Sequence, residues 1–326
     1  MPDWPSSLCA SVDGKDMANV IVETKELTKT YNHTTVVDRL NLSVNENEVF
    51  GLLGPNGAGK TTTILMLLGL TEPTGGTVQV CGFNSTREPL KVKRLAGYMP
   101  EKVGFYENMT ARENLDFIAQ LNHISYAESQ QRIDEILQAV GLTEETDKPV
   151  SQFSRGMKQR LGVADVLIKQ PKVAIFDEPT AGLDPEGIKQ ILELIGGLSK
   201  TGTTVIMSSH RLYEVQRLCH SVGILSKGKI VVQGSIDELS RDALAGGRYR
   251  IELETTETTP LLIDTIKGIE GVNSVETEGN RLFINTASDL RTQIAKAVVQ
   301  HDIPLVEMKI QDFSLDDIYM KYFHEG

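Results

Sequence analysis

The chain has 326 residues, 40% of them hydrophobic, which is enough for one large domain and a small one around substantial cores. A formal net charge of −11 argues against general affinity for nucleic-acid phosphates, and no nucleic-acid partner is expected. Three widely spaced cysteines, Cys9, Cys81 and Cys219, match neither a disulfide framework nor a zinc site, so a reducing cytoplasm is expected.

The opening MPDWPSSLCASVDGKD lacks the basic start and apolar segment of a secretory signal. Residues 1–18 are expected to form a disordered tail, and Met17, just ahead of ANVIVETKEL, competes with Met1 as the start. From Asn19 to Gly82 the pattern is strand-rich: NVIVETKEL, TVVDRLNLSV, EVFGLLG and GTVQVCG, with turns at NENE and PTGG. The longest apolar run, ILMLLGL at 64–70, is far short of the roughly 20 residues that span a bilayer, so the chain is not expected to cross one by itself. Thr110 with Glu113 and Ser125 with Glu128 make capping-box patterns, predicting helices over 111–122 and 126–140, the second ending at Gly141.

VAIFD at 173–177, TTVIMSS at 203–209 and SVGILS at 221–226 are short β-branched runs separated by helical segments, the signature of parallel strands buried on both faces. KGKIVVQG at 227–234 adds a terminal hairpin strand, and RDALAGGR at 241–248 reads as a linker. Beyond it, strand RYRIELE, helix PLLIDTIKGI, two strands around EGNR, helix DLRTQIAKAVVQH, strand LVEMKI and a last helix capped at Ser314 follow the β-α-β-β-α-β order of a small ferredoxin-like domain.

GPNGAGKT at 54–61 fits G-x-x-x-x-G-K-[ST] between an apolar strand and an apolar helix. Gly54, Gly57 and Gly59 let the backbone turn its N–H groups toward phosphate oxygens, Lys60 adds a point charge, and Thr61 offers a hydroxyl to Mg²⁺. Asp177 ends a buried strand, placed to hold Mg²⁺ through water, and Glu178 is placed to take a proton from an attacking water. DPEG at 184–187 matches the D-x-x-G of GTPases, but no N-K-x-D guanine reader accompanies it. SQFSRGMKQR at 151–160 leaves two readings: Ser154 as a plain helix cap, or, with Gly156 allowing close approach and Lys158 and Arg160 adding positive charge, an anion-binding helix start.

At this point residues 19–235 resemble the ATP-binding subunit of an ABC transporter. FSRGMKQR is similar to the family signature LSGGQQQR, with Arg155 and Met157 departing from its commonest residues in the manner of ABC-2-type exporters. The resemblance implies an α/β P-loop core with an antiparallel β subdomain and a helical subdomain near residues 100–170, an ATP-binding domain over 19–240, and an accessory α+β domain over 246–326. It implies that Ser154, Arg155, Gly156 and Met157 close over ATP bound by a partner subunit, in a homodimer or heterodimer with two sandwiched nucleotides. The ATP-binding set is then Tyr31, stacking on adenine, with Gly54, Pro55, Asn56, Gly57, Ala58, Gly59, Lys60, Thr61 and Thr62. Asp184 falls in the D-loop, His210 resembles the switch histidine beside the catalytic Glu178, and Glu101 stands in the Q-loop where most relatives have glutamine, joining Thr61 and Asp177 around Mg²⁺. Separate transmembrane permease subunits are expected to dock near residues 100–125 and hold the chain at the cytoplasmic face of the membrane. YMPEKVGFYENMTARENL and FSLDDIYMKYF are similar to the ABC-2 exporter group, including the NosF-like subunits of copper-site assembly, with drug, lipid or polysaccharide export as alternatives. Two other readings stand beside a transport motor: a non-transport ATPase of DNA repair or translation, and a module that binds ATP without useful turnover.

Overall fold

The computed structural model describes residues 19–243 and 249–311; the expectations for the tail at 1–18 and for the helix capped at Ser314 lie outside the described residues. The chain divides into two compact units, at Gln233 and Gly234. In the first, strands β1 (Val20–Tyr31), β2 (Thr34–Asn45) and β3 (Val49–Leu53) lead into helix α1 (Lys60–Leu67). Strands β4 (Gly75–Val80) and β5 (Phe83–Asn84), helix α2 (Pro89–Leu95) and strand β6 (Ala96–Met99) follow. Helices α3 (Ala111–Leu121), α4 (Tyr126–Ala139) and α5 (Arg155–Leu167) then precede β7 (Val173–Asp177), α6 (Pro185–Lys200), β8 (Thr204–Ser209), α7 (Leu212–Leu218), β9 (Ser221–Ser226) and β10 (Lys229–Ser235).

Two sheets carry this unit. An antiparallel one runs β2-β1-β4-β5, and a second runs β10-β9-β3-β8-β7-β6, with β9, β3, β8, β7 and β6 parallel. Every residue of β3, β7 and β8 is buried, which is why these strands are continuous apolar runs rather than alternating ones. One core joins the two sheets: Val22, Leu27 and Leu42 pack in the same cluster as Phe50, Ile175 and Leu225, with Ile64 and Met66 of α1 among them. The body of α1 is packed into this core, with Thr63, Ile64, Met66 and Leu67 buried, while Thr61 at its start stays exposed to the cleft.

Thr110 forms the full capping box, accepting from Glu113 N at 3.2 Å while Glu113 Oε2 accepts from Thr110 N at 2.7 Å. At Ser125 only half of the expected box forms. Its hydroxyl accepts from Glu128 N at 3.4 Å, but the Glu128 carboxylate pairs with Arg132 one turn on, a competing cation that the four-residue pattern ignores. Gly141, at φ +67°, closes α4 through Leu142 N donating to Leu137 O at 2.8 Å.

Helix α8 (Ile236–Ala243) occupies the start of the expected linker. Its cause is local: Ser235 Oγ accepts from Glu238 N at 3.1 Å and Ser235 N donates to Glu238 Oε2 at 3.2 Å, a capping box in SIDE. The second unit continues with β11 (Tyr249–Thr255), α9 (Pro260–Lys267), β12 (Val272–Glu278), β13 (Arg281–Thr286), α10 (Arg291–Gln300) and β14 (Leu305–Gln311). Its strands pair antiparallel in the order β12-β13-β11-β14, the split β-α-β arrangement expected of a ferredoxin-like domain. Ile251, Leu253, Leu282 and Ile284 of the sheet pack against Leu262 and Ile266 of α9 and Ile294 and Val298 of α10.

Candidate active site

The carboxyl ends of β3, β7 and β8 meet at a cleft of about 280 Å³. Its lining is Val36, Pro55, Asn56, Gly57, Gly59, Lys60, Thr61, Thr62, Glu101 and Glu178. The glycine loop is shaped by sterics: a Cβ on Gly59, at φ +105°, would stand 2.8 Å from Val36 O, whereas one on Gly57 would meet nothing within 4 Å. Lys60 is buried, and its Nζ donates to Gly54 O at 2.7 Å and to Pro55 O at 3.4 Å while standing 3.3 Å from Glu178 Oε1.

Asp177 ends β7 and is 2% exposed. Thr61 Oγ1 donates to its Oδ2 at 2.8 Å, and Ser208 Oγ donates to its Oδ1. Ser208 also accepts from Glu178 N at 3.0 Å, so one hydroxyl of β8 fixes both acids. Glu178 has φ +49°, an uncommon conformation for a residue with a side chain, and the surrounding bonds hold it there. Its Oε2 lies 2.8 Å from His210 Nδ1, and its buried Oε1 has no hydrogen-bond partner. Burial, and secondarily the charge of Asp177, pushes the Tyr98 phenol up to about 12.

A hydroxyl and carboxylates form the hard-oxygen donor set that suits Mg²⁺, and Glu178 Oε1, ion-paired with Lys60 but without a hydrogen bond, lies in the same cleft. Among the described residues no group of three or more His, Cys, Asp or Glu is placed to hold a metal ion by itself. His220 is exposed and its Nδ1 accepts from Val49 N at 2.9 Å, while the neighbouring Cys219 is buried in the core, and its burial pushes the thiol up.

Ser154, Arg155, Gly156 and Met157 line a separate cleft of about 380 Å³ with Arg160, Gly182, Leu183, Asp184, Glu186, Gly187, Gln190 and Ile191. The two linings share no residue. Ser154 Oγ caps α5 by accepting from Met157 N at 3.2 Å, and Asp184 caps α6 by accepting from Gly187 N at 3.1 Å. The Arg155 guanidinium lies against Gly182, where a Cβ would come within 2.1 Å of it. Lys158 does not add its charge here, because its Nζ pairs with Glu107 Oε1 at 2.8 Å. Arg160 does line the cleft, donating to Gly141 O at 3.2 Å.

Of the sequence-derived residues, Lys60, Thr61, Asp177, Glu178 and His210 come together in one bonded group. Gly54 contributes its carbonyl, and Ala58 is buried behind the loop, with its carbonyl accepting from Gly228 N. Tyr31 does not line the cleft; the residue is 43% exposed, with Lys29 Nζ 4.7 Å from its ring centroid. Val36 and Ser208 were missed by sequence reasoning. The one signal for Ser208 is a polar residue at the carboxyl end of an otherwise apolar buried strand.

Comparison with known proteins agrees with this geometry. A family model described as ABC transporter matches residues 37–181. The chain is 37% identical over 311 residues to the bacitracin transport ATP-binding protein BcrA of Bacillus licheniformis, covering 94% of this chain and 99% of that protein. It is 33% identical over 304 residues to the linearmycin resistance ATP-binding protein LnrL of Bacillus subtilis, covering 92% and 97%. Among solved structures, the dimeric post-hydrolysis state of the ATP-binding cassette MJ0796 bound to ADP and Pi superimposes with TM-score 0.61 at 25% identity, over 66% of this chain and 98% of that one. The chain belongs to the ABC transporter family, as an ATP-binding, ATP-hydrolysing subunit of an exporter-type transporter.

Proposed function

We propose that two copies of this chain, or this chain and a close relative, sandwich two ATP molecules, each held by the glycine loop of one subunit and covered by Ser154 and Gly156 of the other. The separation of the two clefts supports this most directly: the residues that bear charge toward phosphate and the signature residues line different surfaces of one subunit. Lys60 leaves the Gly54 carbonyl for the phosphates, and the loop amides orient them. Glu178, oriented by His210, accepts the proton of the attacking water. Thr61, Asp177 and Glu101 would hold Mg²⁺, which would supply neutralising charge to the phosphates.

Separate permease subunits dock near residues 100–125 and hold the chain at the cytoplasmic face of the membrane. No described helix is long and apolar enough to cross it. The roles named for these relatives, bacitracin transport and linearmycin resistance, favour a large antibiotic-like cargo over copper-site assembly. Their match over more than nine-tenths of the chain favours transport over DNA repair or translation. Glu178→Gln tests the catalytic assignment: turnover should fall on the order of a hundredfold while ATP traps a dimer detectable by gel filtration. A wild-type hydrolysis rate in that variant would remove Glu178 as the base.

A further inference from the structure

The segment between Glu178 and Asp184 is gripped by two buried polar side chains that line neither cleft, Gln159 within the signature helix and Glu214 outside every nucleotide motif. Gln159 of α5, 4% exposed, donates from Nε2 to Pro179 O at 2.8 Å. Glu214 of α7 is 2% exposed. Its Oε2 accepts from Thr180 Oγ1 at 2.6 Å and from Ser209 Oγ at 3.4 Å, and its Oε1 accepts from Arg211 at 3.1 Å. A carboxylate so thoroughly removed from water persists only when its oxygens are matched, and here they are.

The position of these partners gives the cluster its meaning. Thr180 stands two residues after Glu178, and Ser209 and Arg211 flank His210. Ala181 N donates to Glu178 O at 3.1 Å and Leu183 N to Thr180 O at 3.2 Å, so the chain from Glu178 to Leu183 is a tight turn braced by its own backbone bonds. Thr180 itself is 1% exposed and has no solvent to fall back on. Arg211 N donates to Ser209 Oγ at 3.0 Å, which closes the other segment around His210 in the same way. One carboxylate therefore joins the segment that carries the base to the segment that carries the histidine, and it does so outside the cleft lining. The 2.8 Å approach of His210 Nδ1 to Glu178 Oε2 spans these same two segments.

We propose that Glu214 is a positioning residue for ATP hydrolysis, clamping Thr180 to the Ser209–Arg211 segment so that Glu178 and His210 keep their mutual geometry. This rests on the reading of Glu178 as base. A contact made behind the site acts on the reaction geometry rather than on nucleotide affinity. The clean test is Thr180→Val, which keeps shape and removes the hydroxyl, with Glu214→Gln, which sets an amide donor against either Arg211 or Thr180. Each should lower kcat about tenfold and leave KM for ATP within about twofold. The double variant should be no slower than the worse single one, since both break the same bond. Thr180→Ser, which restores the hydroxyl, should restore kcat. A drop in thermal midpoint with kcat unchanged, or single effects that multiply in the double variant, would overturn the clamp. Glu178→Gln measured alongside separates the two claims: a slow E178Q beside a full-speed T180V removes only the clamp, whereas a full-speed E178Q removes the base and the clamp with it.

Discussion

The cleft at the glycine loop and the cleft at Ser154 belong to one unit of the chain and differ in kind. In the first, three charged side chains are almost withdrawn from water, Lys60 at 6%, Asp177 at 2% and Glu178 at 8% exposure, and each is held by named partners. In the second, Ser154, Arg155 and Asp184 are open to solvent, and among the described residues Arg155 makes no ion pair. Buried, mutually restrained charges are the mark of chemical apparatus, because their desolvation has to be offset by fixed partners. An open surface built on two helix starts has the opposite character: it offers N–H groups and a free guanidinium to something that arrives from outside. The contrast supports the proposed sandwich, with turnover at the first cleft and its completion by a second subunit.

The sharpest way to break that contrast is Lys60→Ala. It removes the only cation that lines the first cleft among the described residues and leaves Glu178 buried without its neighbour, so ATP binding should be lost and turnover should fall by about a hundredfold or more. Equilibrium binding of a fluorescent ATP analogue, unchanged from the wild type, would contradict it. Gly156→Asp attacks the second cleft alone. A Cβ at Gly156 meets nothing within 4 Å, so the fold should accept the change, while a carboxylate at a helix start opposes phosphate. ATP binding by the monomer should stay within about twofold, and ATP-dependent dimerisation and turnover should both disappear. Retained turnover in G156D would place the whole reaction within one subunit.

A smaller effect separates the signature helix as a scaffold from the signature as a contact. Asp165, on the same helix α5, is half-buried, and its buried Oδ1 has no hydrogen-bond partner among the described residues. Burial raises its pKa from 3.8 to about 6 against the opposing charge of Lys169. Because the folded value lies above the unfolded one, the fold favours the protonated acid, and stability falls as pH rises through about 4 to 6. At neutral pH the ionised group costs the fold about 3 kcal/mol. Asp165→Asn should therefore raise the thermal midpoint by several degrees at pH 7.5 and by much less at pH 4.5, with ATP turnover unaltered. An equal shift at both pH values would show that the gain is not electrostatic.

Much of this architecture is legible in the amino-acid sequence because its requirements are local. The glycines at 54, 57 and 59 are demanded by backbone torsions, all at positive φ, and Lys60 and Thr61 follow at the helix start that a phosphate requires. VAIFD shows a buried parallel strand by its unbroken apolar run, and Asp177 and Glu178 then stand at its carboxyl end, where ligands bind in such sheets. The groups that restrain the site were less legible. Ser208 reaches Asp177 across 31 residues and Thr180 reaches Glu214 across 34, separations at which no periodicity carries information. Lys158 reads as part of a basic cluster until Glu107, 51 residues earlier, takes its charge. The capping box at Ser235 and Glu238 was local and was obscured by the small, glycine-containing stretch that follows it.

The division of labour between the clefts is tested most directly by mixing two inactive variants, Lys60→Ala and Gly156→Asp. In a mixed dimer, the intact glycine loop of the G156D chain meets the intact signature of the K60A chain, giving one complete site. The account predicts that neither variant alone hydrolyses ATP and that an equimolar mixture recovers about a quarter of wild-type turnover, the share set by random pairing of subunits. A mixture that stays as inactive as its components, with both variants folded and ATP bound to G156D, would contradict it.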